Sequence, residues 1–580
     1  MRKGLNQIFI LTLVGTLILT LPAGAQLLIN EFSAMNNRIM IDSMTKDYSD
    51  WIEIENISER TINLEGYYLS DDPDQLLKYK IPEEIMIKPG HQFIFIANGK
   101  GSSNQLNFKL SVDGEFILLS ESEGNIIDSV QYQDQQAGIS MGRHPEQKDK
   151  WLYFYKPTPG KKNNDDGSTS FKNSPYTHTL PVISLSADSA YIWGDSTGIY
   201  VIGKNGVTGY CNDMMKRNYC RDWERKAYME FYDKEGIRKY AGNAGIKIHG
   251  NCSRNFPQRS LALFARSNYG NGKFEYRFFK EKNIDEFEAL LLRNSGNDNR
   301  SSMIRDALMS RLASNGLNID YQAYEPVVLY LNDRYWGIYN LREKINEHYC
   351  YDNHSANPQN IDMLESLDKI KYGDAENMDA LVTFIKENPL SLHSNYLEIA
   401  ERIDIGEFIH YIIAQVYCAN TDWPSHNVRY WRERTSGSKW RWILFDTDLG
   451  FGLHEEGYTT DMFFRITELH ENPDWITPNT VLLFMELMKS PVFREKFSQE
   501  FHRQIKNIYS DENLSRIIDE IVSALKYEIE QHCYRWDLSF TEWQREIEKI
   551  KRFAELRPSY LVKHFEEFMK KYRQIASPKP

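Results

Sequence analysis

The stretch of sequence that decides the fold reads Asn420-Thr421-Asp422-Trp423-Pro424-Ser425-His426-Asn427, and it continues through two strand-like runs to Asp446-Thr447-Asp448-Leu449-Gly450-Phe451-Gly452. The two runs, Val428-Arg429-Tyr430-Trp431 and Trp440-Arg441-Trp442-Ile443-Leu444-Phe445, flank a Thr-Ser-Gly-Ser turn, which predicts a β-hairpin. Upstream, apolar residues with 3,4-spacing predict a helix that ends near Cys418. The order is therefore helix, polar loop, β-hairpin and an Asp-rich turn.

The polar residues of this stretch have a spacing that protein kinases use for phosphoryl transfer. In that reaction one Asp orients the attacking hydroxyl and accepts its proton, while an Asn five residues later and an Asp after the hairpin hold metal ions on the nucleotide phosphates. Asp422 and Asn427 have the five-residue offset, and Asp446 has the place after the hairpin. Carboxylate and amide oxygens also suit Mg²⁺, which prefers hard ligands.

Two other interpretations use the same residues. Asp, Asn, Pro and Gly dominate turns in general, so the stretch can also be read as two polar turns beside a hairpin. Asp446 and Asp448 begin like an EF-hand calcium loop, but Gly450 stands at the fifth position and Gly457 at the twelfth, where the pattern requires ligands. The calcium-loop interpretation therefore fails on its own pattern.

The region around this stretch, residues 179–580, has a mixed α and β pattern. Its first part contains strand-like runs, a helix is predicted from Ser301 to Leu312, and two further strands follow around residues 327–330 and 336–339. After Asp379 the pattern is mostly helical, and the final ninety residues alternate charged and apolar positions with a helical period. We therefore predict an α+β domain with a helical C-terminal lobe.

The region from residue 26 to 160 has an all-β pattern. Short apolar runs such as Trp51-Ile52-Glu53-Ile54 alternate with Gly, Pro and Asp turns, which predicts a β-sandwich. Residues 161–178 begin with a polar, turn-rich segment and are predicted to be a linker. Within the sandwich, residues 138–142 fit the G-x-S-x-G nucleophile pattern, but Pro145 argues against the helix that this chemistry needs.

The first 25 residues have the features of a secretory signal peptide. A short basic start precedes an apolar run, and Ala23-Gly24-Ala25 supplies an A-x-A cleavage pattern. No later segment approaches the ~20 apolar residues that a transmembrane helix needs. The sequence therefore predicts export to the periplasm, the cell surface or the medium. The net charge of −12 and the absence of a concentrated basic stripe argue against nucleic acid as a partner.

The six cysteines are too few for a disulfide-rich scaffold, but some can pair in an oxidising compartment. Cys211 and Cys220 flank a short segment and are the predicted bridge. Pairing among Cys252, Cys350, Cys418 and Cys533 stays open at this point, because their wide separation gives no basis for a choice.

The N-terminal region resembles the lamin-tail domain, an immunoglobulin-like sandwich. The matching segments occur in order along the region: Ile29-Asn30-Glu31-Phe32, Asp50-Trp51-Ile52-Glu53-Ile54-Glu55-Asn56, Leu64-Glu65-Gly66-Tyr67-Tyr68-Leu69-Ser70, Gly142-Arg143-His144-Pro145 and Thr158-Pro159-Gly160. The resemblance implies a non-catalytic domain.

The second region resembles the spore-coat CotH kinase family, whose members have an atypical protein-kinase-like fold. The matching segments are Gly245-Ile246-Lys247-Ile248-His249-Gly250-Asn251-Cys252-Ser253-Arg254-Asn255-Phe256-Pro257-Gln258-Arg259-Ser260, Met303-Ile304-Arg305-Asp306-Ala307-Leu308, Leu331-Asn332-Asp333-Arg334-Tyr335-Trp336-Gly337-Ile338-Tyr339-Asn340-Leu341-Arg342-Glu343 and the segments around Asp422 and Asp446. The resemblance implies that Asp422 is the catalytic residue and that Asn427 and Asp446 bind metal, with Asp448 competing for the second metal position.

The sequence departs from the family at the nucleotide side of the site. The family typically has Lys-Lys after the Phe-Pro pair, whereas this chain has Gln258-Arg259, and Arg is not equivalent to Lys as a compact charge on phosphate. Arg259 is the candidate replacement and Lys247 the alternative. Glu343 follows a strand and is a candidate contact for the nucleotide or the metal, or else an exposed acid at a helix N-terminus.

Together these observations predict an exported kinase-like protein that transfers phosphate from ATP, with Mg²⁺ or Mn²⁺, to Ser or Thr hydroxyls of an extracytoplasmic or surface protein. The alternative is a non-catalytic surface, assembly or adhesion protein that keeps the fold as a scaffold. Scarce ATP outside the cytoplasm and the missing strand lysine favour the scaffold, whereas the intact set of Asp422, Asn427 and Asp446 favours the enzyme.

Overall fold

The computed structural model divides the chain into two compact units, Met1–Pro175 and Tyr176–Pro580. It describes residues 26–575 apart from the short gaps 37–38, 43, 45–47, 83–84, 113, 134, 136–137, 169–175, 177, 210, 212–213, 271 and 455–456. The predicted signal peptide, residues 1–25, lies outside the described residues.

The first unit is a β-sandwich, as the alternation of short apolar runs and turns predicts. Its strands are β1 Leu27–Ser33, β2 Asp50–Asn56, β3 Ile62–Asn63, β4 Tyr68–Ser70, β5 Tyr79–Lys80, β6 Met86–Ile87, β7 Gln92–Ala97, β8 Gly114–Ser120, β9 Ile126–Gln133, β10 Ser140–Arg143 and β11 Trp151–Phe154. One sheet has the order β11-β10-β1-β2-β7, a second has the order β5-β4-β8-β9, and β3 pairs with β6. Apolar side chains of both larger sheets form one core, for example Phe32 and Ile54 from the first and Leu69 and Leu119 from the second.

The segment predicted to be the linker is partly packed. Asn163 is buried in the first unit, where its Nδ2 donates to the backbone oxygens of Asn30 at 3.2 Å and Arg143 at 2.7 Å. Ser168 exchanges backbone hydrogen bonds with Tyr153 at 2.8 and 2.9 Å. On the other side, His178 contacts Glu528 at 2.7 Å within the second unit. Residues 161–168 therefore belong with the sandwich, because their polar groups complete its hydrogen bonding.

The second unit is an α+β domain, and its strands come mainly from its first half. They are β12 Val182–Ala187, β13 Val207–Thr208, β14 Lys216–Arg217, β15 Glu224–Tyr232, β16 Arg238–His249, β17 Ser260–Phe264, β18 Phe274–Glu275, β19 Glu286–Phe287, β20 Ala289–Arg293, β21 Asp320–Tyr321, β22 Tyr324–Leu331, β23 Arg334–Glu343, β24 Ile361–Glu365, β25 Lys369–Tyr372, β26 Arg429–Glu433 and β27 Arg441–Leu444. Seven strands form a closed barrel in the order β12-β15-β16-β17-β20-β23-β22, and a five-stranded sheet has the order β21-β27-β26-β24-β25.

The helices lie mainly in the second half of this unit. They are α1 Ser189–Trp193, α2 Arg305–Ser314, α3 Glu347–His354, α4 Glu376–Glu387, α5 His393–Arg402, α6 Ile405–Cys418, α7 Met462–Glu471, α8 Asn479–Leu487, α9 Pro491–Asn507, α10 Asp511–Leu525, α11 Ile529–Trp536 and α12 Phe540–Ile575. Among the described residues, no helix is both long and apolar enough to cross a membrane. The predicted hairpin is formed by β26 and β27, which pair in antiparallel register.

The helix predicted from Ser301 to Leu312 begins four residues later, at Arg305. Asp298 explains the late start, because its carboxylate accepts from the backbone N–H of Ser302 at 3.0 Å and from the backbone N–H of Arg305 at 3.1 Å. These bonds satisfy N–H groups at the start of the helix in the manner of a cap. The preceding residues, Gly296–Arg300, form a 3-10 turn instead.

The barrel strands have one apolar face that points into the core and an outer face that carries charged side chains of the site. Ile246 and Ile248 of β16 point into the barrel core, so Lys247 and His249 lie on its outer face. The outer face continues across four neighbouring strands. Lys247 of β16 pairs with Ala262 of β17, which pairs with Leu291 of β20, and Leu291 pairs with Arg342 of β23.

The predicted Cys211–Cys220 bridge is wrong. Cys211 forms a disulfide with Cys252, with the two Cα atoms 5.5 Å apart. Cys220 is instead buried in a short 3-10 turn and contributes to the barrel core. The partner was missed because Cys252 follows β16 and lies 41 residues from Cys211, and spacing along the chain does not show that the two segments meet.

Candidate functional site

The polar loop after α6 is tied to the turn after β27 by one amide group. Nδ2 of Asn427 donates to Oδ2 of Asp422 at 3.1 Å and to the backbone oxygen of Asp446 at 3.1 Å. Asn427 and Asp446 both have φ of 55°, a left-handed conformation that Asn and Asp adopt more readily than most residues. This conformation and the shared amide bring Asp422, Asn427 and Asp446 together from two separate loops.

Asp422 is only partly buried, and its charge is set by its neighbours. Burial raises the pKa of the Asp422 carboxyl above its ordinary value, and the negative charge of Asp446 acts in the same direction. His426 and Arg465 oppose this shift, because a positive charge favours the ionised carboxylate. Asp422 is therefore a carboxylate close to a second acid and two bases.

Asp446 and Asp448 share one arginine from the barrel. Nη2 of Arg293, the last residue of β20, donates to Oδ1 of Asp446 and to Oδ2 of Asp448, the latter at 2.8 Å. Burial lowers the pKa of Arg293, but the charges of Asp446, Asp448 and Asp306 outweigh it and hold that pKa above its ordinary value. For Asp448, burial and the neighbouring charge of Asp446 raise the pKa of the carboxyl.

A second ion pair lies behind this group. Nη2 of Arg342 donates to Oδ2 of Asp306 at 2.8 Å, and Oδ1 of Asp306 accepts from the backbone N–H of Thr447 at 2.9 Å. Burial raises the pKa of Asp306, but Arg342 and Arg293 reverse the shift and lower it overall. The start of α2, the end of β20 and the Asp-rich turn are thus joined by buried charges.

A cavity of about 360 Å³ opens on the outer face of the barrel. The residues that line it include Lys247, His249, Arg254, Phe264, Lys344 and Tyr372. Burial lowers the pKa of His249 well below its ordinary value, and Lys344, Arg293, Arg254 and Arg429 lower it further. Burial also lowers the pKa of Lys344 to about 8, with Arg429, Lys371 and Lys247 acting in the same direction. Four cations, Lys247, Arg254, Arg266 and Lys344, line it together with three carboxylates, Asp222, Glu288 and Glu347. The cavity is therefore positive by one charge, which is compatible with an anionic ligand.

Comparison with known families identifies both units. The family model described as "CotH kinase protein" matches residues 246–561, which is more than half of the chain. The chain belongs to the CotH kinase family. The family model described as "Lamin Tail Domain" matches residues 21–134. No curated protein matches the chain. The two predicted family resemblances are thereby confirmed.

The structure brings some of the residues predicted for this CotH kinase site together. Asp422, Asn427, Asp446 and Asp448 lie within one hydrogen-bonded group, and Lys247 lines the positive cavity. Lys247 is also paired with Asp222.

Arg259 lies elsewhere in the CotH kinase unit. It directly precedes β17, and its neighbours Tyr200 and Tyr219 belong to the cluster of residues in the barrel core. Its guanidinium lies over the rings of Tyr219, at 3.9 Å, and Tyr200, at 5.0 Å. Arg259 is therefore on the opposite face of the barrel wall from Lys247 and Arg293.

Glu343 is likewise occupied by neighbours of its own. Its Oε2 accepts from Nζ of Lys282 at 2.6 Å and from the backbone N–H of Ala323 at 2.8 Å, and its Oε1 accepts from Nδ2 of Asn353 at 2.8 Å. It is buried at the end of β23 rather than exposed at a helix N-terminus. On that strand it follows Arg342, so the two side chains lie on opposite faces.

Sequence analysis of this CotH kinase chain missed Arg293, Arg342 and Lys344. The signal for Arg293 was present, because it ends the apolar run Leu290-Leu291-Leu292 and precedes the polar turn Asn294-Ser295-Gly296-Asn297-Asp298. A charged residue that ends a buried strand before such a turn is a candidate site residue.

The donor chemistry of the site fits a divalent cation of the kind that kinases use. In the described part of the chain, no three His, Cys, Asp or Glu side chains are arranged to hold a metal ion. Asn427 is an amide, however, so the set with Asp422 and Asp446 contains only two such side chains. Within that same part of the chain, Oδ2 of Asp446, Oδ1 of Asn427 and Oδ1 of Asp422 accept no hydrogen bond. Oδ2 of Asp446 and Oδ1 of Asn427 are hard oxygens of the kind that suits Mg²⁺ or Mn²⁺, and Oδ1 of Asp422 stays available for another task.

Proposed function

We propose that this protein is an exported phosphotransferase that moves the terminal phosphate of ATP to Ser or Thr hydroxyls of an extracytoplasmic or surface protein, with Mg²⁺ or Mn²⁺. The observation that carries the proposal is the amide of Asn427, which joins the proposed catalytic Asp422 to the loop of Asp446 with two bonds of 3.1 Å. Membership of the CotH kinase family supports a kinase-like protein in general.

Each residue of the set has a separate task in this proposal. Asp422 orients the substrate hydroxyl and accepts its proton, because its Oδ2 is held by Asn427 while its Oδ1 stays available. Asn427 and Asp446 would hold the divalent cation through Oδ1 and Oδ2, respectively. When bound, the cation neutralises charge on the phosphates. In this proposal the side chains position the reacting groups, as expected for a reaction in which the protein does little covalent chemistry.

We assign the positive cavity to the phosphates of the nucleotide. Lys247 and Lys344 lie on the outer face of the barrel, as Arg293 does, so the cavity and the acidic group occupy the same side of the wall. Phe264 and Tyr372 provide aromatic surface beside these cations. Lys247 has the role predicted for a strand lysine, and Arg259 has no part in this assignment.

The alternative function, a non-catalytic assembly or adhesion protein, is favoured by one observation. Arg293 binds both Asp446 and Asp448, so each of these carboxylates already has a cationic partner within the protein. A scaffold that kept the fold but had lost nucleotide binding would need such compensation.

Thermal unfolding of the full chain with ATP and Mg²⁺ or Mn²⁺ tests the choice. A ligand at a hundred times its Kd stabilises the folded state by ~2.7 kcal/mol, so the enzyme should show a clear rise in Tm. The rise should depend on the divalent cation and disappear in Asp446→Asn. The variant Asp474→Asn, which removes an exposed acid far along the chain, is the matched control. A Tm that no nucleotide changes would favour the scaffold.

A further inference from the structure

Arg293 faces an unusual concentration of carboxylates at the end of β20. Its Nη2 donates to Asp446 and Asp448, and its Nε lies 3.6 Å from Oδ2 of Asp306. That oxygen also accepts from Arg342 at 2.8 Å. Two arginines and three carboxylates leave this group with one excess negative charge (2 − 3 = −1), so a small change in its partners alters its balance.

The two carboxylates on Arg293 are not equivalent. The side chain of Asp448 is 1% exposed, and its oxygens accept from the backbone N–H of Asn297 at 2.8 Å and from Nδ2 of Asn297 at 3.3 Å. The side chain of Asp446 is 27% exposed, and Arg293 is its one hydrogen-bond donor among the described residues. Asp448 is therefore a fixed partner, and Asp446 is the one that can be exchanged.

The backbone around Arg293 is shaped to hold the fixed partner. Gly296 has φ of +57°, and a Cβ atom there would overlap the carboxylate of Asp448 and approach Nη2 of Arg293 to 2.6 Å. No side chain fits at this position without displacing the pair. The Arg293–Asp448 contact is thus built into the turn between β20 and α2.

We infer that Arg293 is a positioning residue that takes the place of the divalent cation at Asp446 in the metal-free protein, with Asp448 as its anchor rather than as a metal ligand. The inference rests on the proposed function, because it assigns the metal to Asp446. Metal and guanidinium then compete for one carboxylate.

The competition has a consequence for the nucleotide side of the site. His249 pairs with Ser260, whose neighbour Leu261 pairs with Leu292, the residue before Arg293. Arg293 and His249 therefore lie near each other on the same face of the barrel wall. When metal takes Asp446, the guanidinium keeps Asp448 and has one hydrogen-bonding position free beside the positive cavity. The same exchange that loads the metal thus adds a cation for the phosphates.

Binding of Mn²⁺ alone to the full chain tests the inference without any measurement of phosphate transfer. Titration calorimetry should show that Arg293→Gln binds Mn²⁺ about 10-fold or more tightly than wild type, because a hydrogen bond to a charged group has an effect of that size. Arg293→Lys should fall between them, since lysine keeps the positive charge but lacks the Nε that lies 3.6 Å from Oδ2 of Asp306 and cannot match the reach of the guanidinium. Arg516→Gln removes an exposed arginine from α10 and should bind like wild type.

Thermal unfolding is the second measurement. Without metal, Arg293→Gln should have a lower Tm than wild type because two carboxylates lose their counter-charge, and Mn²⁺ should raise its Tm more than that of wild type. The extra rise should vanish in the double variant Arg293→Gln/Asp446→Asn but persist in Arg293→Gln/Asp448→Asn.

The outcomes separate this inference from the proposed function. If wild type binds Mn²⁺ and both Arg293 variants bind it equally or less well, the competition is disproved and the kinase proposal stands. If only the Arg293 variants bind Mn²⁺, the competition is supported and the native chain is a locked scaffold. If no version binds Mn²⁺, both fail. Should Arg293→Gln not fold, Arg293→Lys alone decides between the first two outcomes.

Discussion

Both units of the chain contain buried carboxylates, and those around Glu53 in the first unit and Asp448 in the second are satisfied in different ways. In the sandwich, Glu31 and Glu53 receive every donor from uncharged groups: Oε2 of Glu31 accepts from Oγ1 of Thr158 at 2.6 Å, and Oε2 of Glu53 accepts from the backbone N–H of Gly160 at 2.6 Å. In the CotH kinase unit, Asp446 and Asp448 are held by the guanidinium of Arg293.

The pKa values reflect this difference. Burial raises the pKa of Glu53 to about 8, and the hydrogen bond from Asn30 only partly opposes it. The protonated form of Glu53 is therefore favoured far more than in an exposed glutamate. Asp306, which is buried to a similar degree, has a lowered pKa because Arg342 and Arg293 reverse the effect of burial.

The comparison teaches that a buried acid is not in itself a sign of function. The sandwich acids fasten the segment from Thr158 to Asn163, which would otherwise leave the sheet, and they use their oxygens for that purpose. In the second unit Asp422 keeps one oxygen that accepts no hydrogen bond from the described residues, and Asp446 and Asp448 share one arginine. A carboxylate oxygen that accepts no hydrogen bond, rather than burial of the acid, distinguishes a candidate site from a structural one.

The largest effect is expected from substitutions at Asp422 and Asp446, the two acids that Asn427 joins. Asp422→Asn keeps the shape of the loop but removes the proton acceptor, so transfer from ATP should fall roughly 10²- to 10⁴-fold while ATP binding survives. Asp446→Asn removes a charged ligand, so metal-dependent ATP binding itself should weaken. Transfer and equilibrium binding, measured side by side, separate the two defects. Undiminished transfer in both variants would contradict the catalytic assignment.

The sequence predicts the two units and the loops of the site, because local spacing carries that information. The five-residue offset of Asp422 and Asn427 and the hairpin before Asp446 are local features, and the structure has the corresponding hairpin between β26 and β27. The sandwich is equally local, because its strands alternate with strong turn signals.

The partners of these loops depend on strand pairing and could not be predicted in the same way. Arg293 reaches Asp446 across 153 residues of sequence, and Cys252 reaches Cys211 across 41. Arg259 has the place in the motif where the family has a lysine, but its guanidinium lies over Tyr219 and Tyr200 of the barrel core. A one-residue shift along a strand changes the face, so a motif alone does not say which cation meets the site.

A smaller effect is expected from Lys344, the lysine of the positive cavity whose pKa is lowered. Because the pKa of Lys344 is about 8, its charge is lost as the pH rises from 7 to 9, whereas an ordinary lysine stays charged there. ATP affinity should therefore decline over this range, by about 10-fold at most, since one hydrogen bond to a charged group is removed.

The charged groups around Lys344 define the control for this pH dependence. They are Arg429, Lys371 and Lys247, which lower its pKa, and Glu347, which raises it. Lys344→Arg keeps its charge at pH 9, so its ATP affinity should stay level between pH 7 and 9. Calorimetric titrations of the two proteins in matched buffers measure this difference. The same decline in both would assign the effect to another group.

The smallest effect on phosphate transfer is expected from a substitution of Glu53 in the sandwich. The stability of the sandwich should change instead. Glu53→Gln places an NH₂ group opposite Asn30 or the N–H of Gly160, both of which are donors, so one buried donor loses its acceptor. The free energy of unfolding of the sandwich should fall by about 1–3 kcal/mol. Transfer from ATP should stay at the wild-type level.

The pH dependence of the sandwich sharpens this last prediction. The folded-state pKa of Glu53, about 8, exceeds its ordinary value of 4.5, so the folded state binds more protons between these values. Stability should therefore be greatest below pH 4.5 as far as Glu53 is concerned, and should be lost as the pH rises through 8. Hydrogen exchange of β1 and β2 in the full chain, followed by mass spectrometry, measures this loss. Glu53→Gln cannot titrate and should flatten the profile, whereas Glu65→Gln, at an exposed position, should keep it. If Glu53→Gln has the same pH profile as wild type, the sandwich does not hold Glu53 in its protonated form. The contrast with the cation-bound acids of the second unit would then no longer hold.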